Sequence, residues 1–100
     1  MDAIAVVGLG CVLPNALRVS DFWASISTGR VSLSKVPARA WDHSLYFHPD
    51  RTMPDRAHAE LGGFIHDFVF DWRKYKVTPA DAQQVNPFQW MVLEAGTQAL

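Results

Sequence analysis

The stretch IAVVGLGCVLP, from Ile4 to Pro14, decides how the rest of the chain is read. A strand with one wet face alternates apolar and polar residues, whereas this run is apolar along its whole length and needs cover on both faces. That pattern predicts a central strand of a parallel sheet, flanked by helices and by neighbouring strands, and so an α/β protein. Few later segments are of similar quality to pair with it. The run therefore predicts that these 100 residues are the front of something larger.

The rest of the composition agrees that something here is meant to be packed. Hydrophobic residues make up 49%, aromatic residues 12% and charged residues only 19%, which excludes disorder from lack of apolar material. Nine basic against ten acidic side chains leave a formal charge of -1, too little field to hold phosphate backbones or anionic lipid. No nucleic-acid or membrane partner is expected. The single cysteine, Cys11, allows no internal disulfide and no paired-cysteine metal site, which fits a reducing cytoplasm. Asp2 follows Met1 directly, and glycines and Pro14 break the apolar run, so the start reads neither as a signal peptide nor as a spanning helix. There is no internal repeat and no low-complexity tract.

Outward from the opening run, Pro14 and Asn15 mark a turn. Ser20 stands as an N-cap before Asp21, with Phe22, Trp23 and Ile26 at helical spacing and Gly29 placed to end the helix in a left-handed conformation. VSLSKVP, from Val31 to Pro37, predicts a short extended segment. A long irregular stretch follows up to Glu60, in which Trp41, Tyr46 and Phe47 are too apolar for a free linker and are expected to pin the loop to a surface. Gly62 and Gly63 open a short strand or bulge where backbones pass closely. Thr78-Pro79-Ala80-Asp81 has the form of a capping box with proline at the first helical position, and Asn86-Pro87-Phe88-Gln89 repeats it. In the second of these helices Phe88, Met91, Val92, Ala95 and Ala99 cluster as the core side, broadened by Leu93 and Leu100, with Trp90 opposite. The pattern runs on through Leu100 without a stop signal.

Three groups of residues raise chemistry. Gly8-Leu9-Gly10 after a strand suggests a dinucleotide-binding turn, but Leu13 stands where the third glycine belongs and Pro14 where a helix should be under way. Glycines needed for tight packing are the preferred reading. Cys11 is the only candidate nucleophile, yet it ends an apolar strand with no base beside it, so it reads as a buried structural thiol. His43, His48, His58 and His66 include no pair at the i, i+4 interval of a helical zinc site, and no metal is expected.

Taken in order, several of these stretches resemble the N-terminal part of a β-ketoacyl synthase, the condensing enzyme of fatty-acid and polyketide synthesis. They are the opening strand with GLGC and Pro14, Asp21-Phe22-Trp23 with Gly29, Lys35-Val36-Pro37, and Trp41-Asp42. Further on come Tyr46, Phe47, Pro49 and Asp50, then Gly62-Gly63-Phe64, Phe70-Asp71, Thr78-Pro79, and Asn86 to Gln89 with Leu93-Glu94. The resemblance covers essentially the whole chain. Departures are Asn86 where the family usually has aspartate, Trp90 where it has arginine, Ala40 where arginine precedes the tryptophan, and Lys74 and Lys76 where modular polyketide synthases tend to have phenylalanine and glycine. They favour a divergent or separately encoded relative over a typical modular synthase.

The resemblance implies the incomplete N-terminal portion of a thiolase-like αβαβα layered fold, residues 1–100 being one fragment that continues past the chain end. It implies an acyltransferase in the complete protein: a cysteine takes an acyl group from a carrier's phosphopantetheine thioester, and two histidines assist decarboxylation of a malonyl extender and carbon–carbon bond formation. Acyl carrier protein and a second copy of the complete chain are the implied partners. None of the three catalytic residues is assigned to this chain, nor is any cofactor or metal ligand, and Cys11 matches a structural cysteine of the family. Two other readings stand beside it: a non-catalytic synthase-like partner subunit, and a nucleotide-binding domain.

Overall fold

The computed structural model describes residues 2–100. The chain divides into two compact units, one holding residues up to Arg30 together with Ile65–Leu100, the other Val31–Phe64.

In the first unit the opening run joins no sheet. Residues 2–12 form no strand ladder with any described residue, and Ile4 and Val7 are 94% and 95% exposed. The expected central strand is therefore not formed among the described residues, because a strand needs a hydrogen-bonded neighbour and this run has none. What the run does meet is a helix, α4, spanning Pro87–Ala99. A Cβ built on Gly8 would stand 1.8 Å from the carbonyl oxygen of Ala99, and one on Gly10 would stand 1.8 Å from that of Ala95. Two glycines two residues apart therefore face two helix positions four residues apart, and only hydrogen fits between the backbones. The expectation of tight packing holds, but through this close approach rather than through a turn.

Leu13-Pro14-Asn15-Ala16 closes tightly, with Leu13 N–H donating to Ala16 O at 2.9 Å and Ala16 N–H returning to Leu13 O at 3.0 Å. Asn15 has φ +57, so proline at the first corner and asparagine at the second meet the demands of a type II turn. Ala16, 2% exposed, is the one fully buried apolar residue among those described.

Helix α1 spans Val19–Thr28. Its cap is Arg18, in an extended conformation and without a side-chain bond, so Ser20 lies inside the first turn rather than before it. Asp21 remains in that turn, where its charge suits the positive end of the helix. At the other end Gly29 takes φ 68 and ψ 27, and Gly29 N–H and Arg30 N–H reach back to Ile26 O and Ser25 O, a Schellman closure.

Helix α3, Pro79–Gln84, and α4 both start as the sequence predicts. Thr78 Oγ1 accepts from Asp81 N–H at 3.2 Å and donates to Asp81 Oδ2 at 2.6 Å, while Asn86 Oδ1 accepts from Phe88 N–H at 3.0 Å. Each cap is followed by proline at the first helical position, where the missing N–H costs nothing.

The covered face of α4 differs from the expected one. Trp90, Met91, Glu94, Ala95, Gln98 and Ala99 are half-buried, whereas Phe88 and Val92 are 69% and 72% exposed and Leu93 and Leu100 are exposed too. Trp90 stacks on Phe70 with ring centres 4.1 Å apart and donates its indole N–H to Ala82 O at 3.0 Å. Apolar periodicity marks a stripe, but which flank of it the chain covers depends on partners beyond the helix.

In the second unit β1, Ser34–Lys35, pairs antiparallel with β2, Leu61–Gly62, in the register Ser34 to Gly62 and Lys35 to Leu61. Both short strands lie where the sequence places extended segments. The stretch between them is irregular apart from α2, His43–Tyr46, capped by Asp42, whose carboxylate accepts from Ser44 N–H at 2.9 Å. Trp41, Tyr46 and Phe47 meet one another and His43 within this loop rather than a separate surface: Trp41 meets Tyr46 edge-on at 5.8 Å, and His43 stacks on Phe47 at 4.5 Å. Among the described residues no helix is long and apolar enough to cross a membrane.

Candidate functional site

The residues with chemical potential fall into three places. At the opening run, the carbonyls of Ala95 and Ala99 fill the space above Gly10 and Gly8, so a pyrophosphate has no room there. The helix end presented is also the C-terminal one, whose partial negative charge repels phosphate. Gly8 and Gly10 thus do not form a dinucleotide-binding turn.

Cys11 lies half-buried beside them, its N–H donating to Gln98 Oε1 at 3.2 Å. Burial pushes the thiol above its ordinary value, and the carboxylate of Asp21 adds to the shift. Both effects disfavour the thiolate, the opposite of what a nucleophilic cysteine needs. The thiol is a packing group.

Gln98 holds this region together. Its Oε1 takes Cys11 N–H and its Nε2 donates to Leu17 O at 2.8 Å, so one amide on α4 fastens both ends of the Cys11–Leu17 segment. One turn earlier Glu94 accepts from Tyr75 Oη at 2.5 Å and from Lys74 Nζ at 3.1 Å. The Tyr75 hydroxyl foremost, aided by Lys74 and opposed by partial burial, holds the Glu94 carboxyl below the usual carboxylate range. The Lys74 ammonium is correspondingly raised, by Tyr75 first and Glu94 next. A cleft of about 300 Å³ opens beside this cluster, with Arg18 and Lys74 set against Asp71 and Glu94 along its wall. Two cationic and two anionic side chains give it no preferred sign of ligand.

The sequence reading missed this network. Its signal was present: Glu94 and Gln98 are polar residues four apart in a largely apolar helix, which places them on one face.

In the second unit His43 Nε2 donates to Glu60 Oε2 at 3.1 Å, since a carboxylate can only accept, and Lys35 reaches the other oxygen at 3.5 Å. His48 Nδ1 accepts from Asp50 N–H, and His58 Nδ1 donates to His48 O at 3.0 Å. These contacts tie loop segments together. Among the described residues no three histidine, cysteine or acidic side chains are grouped as a metal ion requires.

Comparison with known proteins accounts for this arrangement of strand run, caps and helix. The family model of the β-ketoacyl synthase N-terminal domain matches residues 1–100, and the chain belongs to that family. A phenolphthiocerol/phthiocerol polyketide synthase polypeptide of Mycobacterium tuberculosis is 38% identical over 101 residues, a match that covers 99% of this chain and 7% of that protein. Polyketide synthase ThaG of Burkholderia thailandensis is 33% identical over 99% of this chain and 2% of its own length. Among solved structures, the oxazolomycin ketosynthase domain OzmH KS7 of Streptomyces albus JA3453 superposes with a TM-score of 0.83 at 28% identity, over 95% of this chain and 17% of that one. The fold class is therefore that of the ketosynthase, thiolase-like and partial, and the chain spans less than a tenth of the length of these curated relatives.

Proposed function

We propose that residues 1–100 are the front of a ketosynthase domain of the polyketide type that continues past residue 100, and that the complete domain condenses acyl units. In this reading an acyl group moves from a carrier's phosphopantetheine thiol to an enzyme cysteine. A malonyl-type thioester then loses carbon dioxide, and its carbanion attacks the enzyme thioester, forming the new carbon–carbon bond and releasing the cysteine thiolate. The observation that carries the proposal is the family match across residues 1–100, supported by the 0.83 superposition on a ketosynthase domain.

This chain's residues serve as scaffold within that scheme. The resemblance puts the catalytic cysteine and both histidines beyond residue 100, and the burial of Cys11, which disfavours its thiolate, supports leaving it out of acyl transfer. Acyl carrier protein, a second copy of the complete domain and a cytoplasmic setting belong to the same proposal. The test is to supply acyl- and malonyl-loaded carrier protein to the full polypeptide that bears this segment, and separately to residues 1–100 alone. The full polypeptide is expected to release carbon dioxide and form a β-ketoacyl thioester that survives Cys11→Ala. No product from the full polypeptide, or turnover by residues 1–100 alone, overturns the reading.

A further inference from the structure

We draw no further inference here: the strongest candidate, the exposed apolar face of α4 formed by Phe88, Val92, Leu93 and Leu100, is an unpartnered surface, and nothing in the structure shows what covers it.

Discussion

A methyl group on Gly10 would lie 1.8 Å from the carbonyl oxygen of Ala95, and the obstructing atom is helix backbone that cannot swing aside. Gly10→Ala must therefore push the opening run off α4, and it is expected to cost about 3 kcal/mol or more, at the upper end of overpacking effects. Gly29 is demanding for another reason: nothing lies within 4 Å of its absent Cβ, but its φ is +68. Gly29→Ala is expected to cost only about 1 kcal/mol, the left-handed penalty alone. Thermal midpoints of the two variants, measured side by side in the full polypeptide that bears this segment, should rank in that order. Lys76 is the converse case, an ordinary L-residue with φ +55. Lys76→Gly removes the steric penalty and adds some unfolded-state entropy, for a net gain of about 0.5 kcal/mol read as a raised unfolding midpoint. A lowered midpoint would show that the lysine side chain contributes more than its backbone conformation costs.

Element by element, what was legible in the sequence is what is decided locally. Thr78-Pro79 and Asn86-Pro87 start their helices as read because a cap is settled within three or four residues. Gly29 ends α1 for the same reason. The covered face of α4 was not legible, since Trp90 turns inward only because Phe70 and Ala82 are there to receive it, and neither is near it in the helix's own periodicity. Asn86→Ala is expected to destabilise by about 1 kcal/mol, whereas Asn86→Asp keeps the acceptor and should be near neutral. Glu94 supplies a pH-dependent counterpart. Its folded-state pKa is depressed, so its stabilising effect is fully present above the unfolded value of about 4.3 and is lost as pH falls through the lower folded value. Glu94→Gln cannot lose a charge it does not carry. The variant should be less stable than the parent at neutral pH by about 1 kcal/mol, and the gap should narrow below pH about 4. Denaturation midpoints of the full polypeptide at pH 7 and pH 3 measure both, and a gap that stays constant would remove Glu94's charge from the account.

At the scale of the whole molecule the balance of covered and uncovered apolar surface governs behaviour. Side chains that a core would hold are exposed: Ile4 and Val7 on the opening run, Trp23 and Ile26 on α1, Phe88 and Val92 on α4. Only Ala16 is fully enclosed among the described residues, so little apolar burial is available to offset the conformational entropy of ordering 100 residues. Residues 1–100 produced alone are therefore expected to self-associate, to bind a hydrophobic dye, and to melt without a sharp transition. The local caps and the Gln98 fastening survive only as fluctuating structure in that state, because each contributes about 1 kcal/mol against an entropy cost far larger. Sedimentation at low micromolar concentration with a thermal scan decides the matter. A monomer that unfolds cooperatively would mean that the opening strand finds its cover within this sequence, and it would remove the physical reason for extending the domain beyond residue 100.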